Sequence, residues 1–285
     1  MVNYKLRLFT IFIWGLVGLF FTFITRPVTV FASEDYQVSS FHSQITLNQD
    51  TSLTVKETIK VDFLVEKHGI IRVIPIIYSA GGQTIKASLT DTSVTDDQDN
   101  PIPAEQSRLA QSIQLKIGDP NRTLTRPQTY IINYRITDVV RRFDNHEEVY
   151  WNVTGSEWDV ILPPPTAEFA SPNAEIIRTG CFAGGFGTQQ QLCTHQHQQR
   201  SAKFVSSTSV GQGSDFTILV ALDKNNQLNF PGPISQTLKL ITDNLGYPLA
   251  FMPLLIICYL WLDFCKFVRI HSWGVHIKNN FPSRI

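Results

Sequence analysis

Residues Ser52–Phe63 read S-L-T-V-K-E-T-I-K-V-D-F. Leu53, Val55, Ile59, Val61 and Phe63 fall on one face of an extended chain. Thr54, Lys56, Thr58, Lys60 and Asp62 fall on the other. A period of two residues is that of a half-buried antiparallel strand, because successive side chains point to opposite faces. Only Glu57 breaks the alternation.

Tyr36–Leu47 is a weaker strand before it, joined through the turn residues Asn48, Gln49 and Asp50, so the two predict a hairpin. Ile70–Ile77 continues the β-branched theme, with Pro75 marking an edge or a strand end. Further strands are expected over 84–91, 112–117, 129–137, 148–154, 174–178 and 216–222, separated by Gly-, Asn-, Asp- and Pro-rich turns. No stretch between 33 and 230 sustains a helical period, and no internal repeat is present. The expected fold is all-β, an extracytoplasmic antiparallel β-sandwich.

The two ends place this domain. Lys5 and Arg7 precede an apolar run from Leu8 to Ile24, and Val30-Phe31-Ala32 offers small residues where a signal peptidase reads. Residues 1–32 are expected to be a secretory signal peptide, with an uncleaved anchor helix as the alternative. Leu245–Leu262 carries no charge, is flanked by Tyr247, Tyr259 and Trp261, and is followed by Lys266 and Arg269. Residues 245–265 are expected to form one transmembrane helix, because interfacial aromatics and a positive cytoplasmic flank fix such spans. The predicted plan is an exported domain over 33–222, a linker over 223–244, the span, and a short cytoplasmic tail over 266–285. The protein is then a single-pass cell-membrane protein with its main domain outside.

The 285 residues carry 24 basic and 24 acidic side chains, so no bulk field draws the chain to nucleic acid. Cys181 and Cys193 are the two cysteines of the exported part, around a Gly-rich loop. An oxidising compartment predicts a disulfide between them. The alternative is a metal site from Cys193, His195 and His197, which share a face on a strand but lack the usual zinc spacing. No metal and no cofactor is expected.

Nucleophile-elbow, zincin, P-loop and dinucleotide-binding motifs are absent from the sequence. His68 in E-K-H-G-I-I-R is the candidate acid or base, with Glu147 and Glu148 as its acidic partners. Arg72, Trp151 and Trp158 are the binding candidates. Arg141 and Arg142 read as surface partners of Asp144, Glu147 and Glu148. Within E-E-V-Y-W-N-V-T-G-S-E-W-D-V-I-L-P-P-P (147–165), alternation on both sides of Gly155 predicts a hairpin with Trp151 and Trp158 in the core; sugar stacking is the alternative.

Four pieces together, E-K-H-G-I-I-R-V-I-P, T-Y-I-I-N-Y-R-I, V-Y-W-N-V-T-G-S-E-W-D-V-I and C-F-A-G-G-F-G, resemble the YciQ-like predicted membrane proteins, whose exported part is domain of unknown function 2207. The resemblance runs from about residue 33 to 270 and implies a signal peptide, this domain, a span, and then a cytoplasmic part with further spans. After its span the chain carries only H-S-W-G-V-H-I-K-N-N-F-P-S-R-I, so a form truncated after the first span is expected. The resemblance carries no activity. The expected function is non-enzymatic binding of a protein or envelope polymer. The alternatives are an exported hydrolase-like enzyme built on His68 and a scaffold subunit of a membrane complex.

Overall fold

The computed structural model describes residues 35–80 and 82–232, together with Pro253, 256–262 and Phe264. The expected signal peptide, cytoplasmic tail and most of the expected span lie outside the described residues. Pro253, 256–262 and Phe264 are helical and exposed. No helix among the described residues is long and apolar enough to cross a membrane.

The strands are β1 (Tyr36–Leu47), β2 (Leu53–Phe63), β3 (Gly69–Pro75), β4 (Ile77–Ala80), β5 (Gln83–Lys86), β6 (Ser88–Thr95), β7 (Ala104–Arg108) and β8 (Ser112–Gly118). They continue with β9 (Gln128–Thr137), β10 (Val140–Arg142), β11 (His146–Asn152), β12 (Thr166–Ala170), β13 (Ile176–Gly185), β14 (Cys193–His197), β15 (Ser201–Ser206) and β16 (Ser214–Asp223). The fold is all-β, as the alternating patterns predict.

A seven-stranded sheet has the order β14-β15-β12-β1-β2-β9-β6, and a four-stranded sheet the order β10-β11-β16-β13. A three-stranded sheet (β3-β8-β7) and the hairpin β4-β5 complete the set. Phe41 and Val55 from the first sheet, Val149 and Ile218 from the second, Ile74 and Leu115 from the third, and Ile85 from the hairpin belong to one buried cluster. Each such side chain stabilises by about 1.5–3 kcal/mol on leaving water.

The expectation of an antiparallel sandwich is corrected where β1 meets β12. β1 pairs with β12 in parallel, from His42↔Thr166 to Thr46↔Ala170. A parallel pair needs a crossover, and here everything from β2 to β11 lies between the two strands.

The hairpin expected over 147–165 is also corrected. β11 pairs with β10 and β16. Residues 153–165 form no strand, and within them only Leu162 makes an isolated bridge, to Val210. The reason is local: the backbone carbonyls of Val153 and Thr154 are taken by side chains, Gly155 turns at φ 68°, and three prolines then cannot donate.

The first part of the expected linker is docked. Gln227 N–H donates to Asn173 O and Asn229 N–H to Gln49 O, and Leu228 packs on the core.

Candidate functional site

Three of the sequence pieces meet at one buried point. Glu57 occupies an inward position of β2 and is fully buried, as is Arg72 on β3. Arg72 Nε and Nη2 donate to the two Glu57 oxygens, each at 2.8 Å. Its remaining N–H groups go to the carbonyls of Val73 (2.5 Å), Thr154 (2.7 Å) and Val153 (2.9 Å). All five guanidinium donors are thereby used. Tyr134 Oη donates to Glu57 Oε1 at 2.7 Å.

Phe41 and Trp158 hold their rings 5.6 and 5.5 Å from the guanidinium carbon. Burial disfavours a charged guanidinium; the Glu57 carboxylate outweighs that and raises the Arg72 pKa. Burial, and then Glu57, raise Tyr134 well above the ordinary tyrosine value, so it stays a donor.

The glycines of these pieces are required. A Cβ on Gly155 would lie 2.9 Å from Val73 O and 3.3 Å from Arg72 Nη1. Gly69 and Gly118 are cross-strand partners, and a Cβ on either would meet the other strand's carbonyl oxygen at under 2 Å.

The same turn leads to a cavity. Thr154 Oγ1 accepts from Phe216 N–H at 2.9 Å, and Asn152 Oδ1 accepts from Gly155 N–H at 2.9 Å. Asn152 Nδ2 donates to Asp215 Oδ2 at 2.8 Å. Asn152 and Thr217 are register partners on β11 and β16, which sets them side by side on the sheet face opposite Trp151. They and Asp215 line a cavity of about 300 Å³ with Tyr78, Tyr150, Gln111 and the Phe186–Thr188 loop.

Tyr78 Oη donates to Tyr150 O at 2.8 Å and fixes one aromatic wall. Asp215 is only 6% exposed. Burial pushes its carboxyl up to about 6, against a lowering hydrogen bond from Asn152. The Phe186 loop is tied at its base by the Cys181–Cys193 disulfide (S–S 2.10 Å, Cα–Cα 6.1 Å), as expected from compartment.

The residues singled out from the sequence are scattered. His68 is exposed, with Nδ1 3.1 Å from Arg122 O. It lines a separate groove of about 500 Å³ with Ile71, Glu105 and Lys116. Glu147 and Glu148 are neighbours on β11 with side chains on opposite faces. Glu147 accepts from Asn226 Nδ2 and lies 3.9 Å from Arg142 Nε, so it holds the docked segment after β16. Glu148 pairs with Arg141, with Arg178 Nη2 at 3.8 Å and His146 Nε2 at 3.7 Å. The surface reading is corrected for both acids and for the Arg141–Glu148 pair, which are buried because β10 and β16 flank them, while Arg142 stays exposed. No hydrogen bond or ion pair among the described residues joins His68 to either acid.

The binding candidates are corrected as well. Arg72 and Trp151 are fully buried and Trp158 is 3% exposed, so none presents itself to a ligand. Trp158 Nε1 donates to Thr154 O at 2.9 Å. Cys193 is taken by the disulfide. His195 and His197 share a face of β14, and their Nδ1 atoms lie 2.9 and 3.1 Å from one Thr179 hydroxyl.

The family model described as predicted membrane protein (DUF2207) N-terminal domain matches residues 37–221. The chain belongs to this family. The match runs from β1 to within two residues of the end of β16, so the matched residues are the β fold described above.

Among solved structures the chain is similar to native leukotriene A4 hydrolase from Saccharomyces cerevisiae at 10% identity, covering 69% of this chain and 32% of that one, with a TM-score of 0.42. It is similar to the M1 zinc metallopeptidase from Deinococcus radiodurans at 10% identity, covering 65% and 42%, with a TM-score of 0.36. A third is a putative protease from Parabacteroides distasonis at 8% identity, covering 68% and 41%, with a TM-score of 0.35. The chain thus spans less than half the length of each of these proteins. No curated protein matches the chain.

Sequence reasoning missed Asp215. In G-S-D-F-T-I-L it reads as a turn residue ahead of a strand. Its partner Asn152 lies 63 residues away, so only the β11–β16 register brings them together. The available signal was Tyr150-x-Asn152, the polar side of a strand whose other side is Val149-x-Trp151.

Proposed function

We propose that the chain is a membrane-anchored binding module of the cell envelope. Residues 1–32 direct export, 245–265 form the single span, and the β domain is held outside the membrane. The cavity between β11, β16 and the disulfide-tied loop is its ligand site, and the ligand is a segment of an envelope polymer or of a protein. The observation that carries this reading is Asp215: a carboxylate 6% exposed, lining a cavity and accepting, among the described residues, a single hydrogen bond, from Asn152. Burying a polar acid with so little compensation costs stability. Such a cost is found where a site needs the group, and strongly shifted acids cluster in functional clefts.

The geometry lends no support to hydrolysis by His68 with Glu147 and Glu148, since His68 lines a different groove from the one flanked by β11. A scaffold role for the span has no observation behind it within the described residues.

The test is a titration of the purified full-length chain with soluble peptidoglycan fragments and envelope peptides, run beside Thr188→Trp, which places an indole in the cavity. Saturable binding that Thr188→Trp abolishes supports the reading. Binding unaffected by the indole contradicts it.

A further inference from the structure

The cavity face of β11 and β16 has an uneven charge. At one end, Glu148 is compensated by Arg141, with Arg178 and His146 also within 3.8 Å. At the other end, no ion pair among the described residues involves Asp215, and no described Lys, Arg or His lines the cavity. One of its oxygens takes the Asn152 amide at 2.8 Å, and no donor among the described residues reaches the other.

The walls around it are aromatic. Tyr78 and Tyr150 stand 6.5 Å apart between ring centroids with a 31° tilt, and Phe186 stands exposed at the edge. A neutral hydroxyl from a ligand would satisfy a hydrogen bond but leave the charge in a poorly solvated place. A cation satisfies both, and ring faces attract cations through their quadrupoles.

We propose that the cavity receives a positively charged group of its ligand, an ammonium or guanidinium, seated between the Asp215 carboxylate and the rings of Tyr78 and Phe186, the Tyr150 ring already carrying the Arg141 guanidinium at 5.6 Å. The inference rests on the cavity being the binding site. A free polyamine and a lysine side chain of a peptide both supply this chemistry.

Titration of the full-length chain in neutral detergent at pH 7.5, read by amide shifts, separates these cases. The probes are cadaverine with 1,5-pentanediol as its neutral counterpart, and acetyl-Ala-Lys-Ala-amide with the norleucine peptide as its counterpart. At least one cationic probe is expected to bind at Asn152 and Thr217 about tenfold or more tighter than its counterpart. Preference for cadaverine identifies a free amine, and preference for the peptide a lysine side chain. Asp215→Asn is expected to erase the difference between charged and neutral probes, and Phe186→Ala, at an exposed position, to reduce it without loss of fold.

Equal binding of charged and neutral probes, or an unchanged preference in Asp215→Asn, overturns the inference. If neutral peptidoglycan fragments still bind in the cavity, the binding reading survives that result. If neither they nor any probe shifts the cavity amides, both fail.

Discussion

Arg72 and Glu57 face each other across the core with both side chains fully buried and two N–O distances of 2.8 Å. Removing one partner leaves an uncompensated charge inside the protein, which costs about 3–5 kcal/mol. Glu57→Gln and Arg72→Met should each lower stability by that order in urea unfolding of the full-length chain. Tyr134→Phe, which removes one hydrogen bond to the carboxylate, should cost about 1–2 kcal/mol. The combination Glu57→Leu with Arg72→Met should recover part of the loss: no buried charge is left alone, but the carbonyls of Val73 and Val153 and the Tyr134 hydroxyl lose these partners.

Gly155 combines a positive φ of 68° with backbone contacts that leave no room for a Cβ. Gly155→Ala should destabilise by about 1–3 kcal/mol. It should also displace Asn152, whose Oδ1 accepts from the Gly155 N–H. Thermal unfolding measures the first effect, and the amide shift of Thr217 the second.

Asp215 predicts a pH dependence with a definite sign. Its folded-state pKa is raised to about 6 from an ordinary 3.8, so the folded chain holds the proton more tightly than the unfolded chain. This contribution to stability is fully present below pH 4 and is lost as pH rises through about 6. The loss is about 2–3 kcal/mol. Comparing urea midpoints at pH 4, 5, 6 and 7 for the natural chain and Asp215→Asn isolates it, since only the natural chain should show this component.

The Cys181–Cys193 bond closes a loop of sequence separation 12. Replacing both cysteines by serine should cost about 3 kcal/mol in the chain-entropy view. Because the loop carries Phe186 and Thr188 into the cavity wall, ligand affinity should fall with it. Unfolding and binding titrations under oxidising and reducing conditions check both.

Glu147 accepts from Asn226, and Lys224 Nζ donates to Phe143 O at 3.3 Å and Asp144 O at 2.6 Å. Glu147→Ala should loosen the segment leaving β16. Trypsin cleavage after Lys224 should then accelerate in a timed digest.

Much of this architecture was legible because strand alternation is a local signal. The strand expected over 52–63 and the first arm, 36–47, both appear, with Leu53 opposite Leu47. Glu57 showed in the sequence only as a break in the alternation; its partner lies 15 residues on, in another sheet. β7 was invisible because all five of its residues are exposed. The parallel join of β1 to β12 and the meeting of Asn152 with Asp215 are matters of long-range register, which no window of sequence contains. His68 drew notice by residue type, yet its ring is spent on a loop carbonyl at the surface.

The most direct test of the account is residue-level mapping of the bound ligand. Amide shifts recorded on the full-length chain with saturating peptidoglycan fragments or envelope peptides should concentrate at Tyr150, Asn152, Thr188, Asp215 and Thr217. Shifts that instead gather at His68, Gly69, Lys116 and Gly118, leaving the Asp215 cavity unmoved, would contradict it.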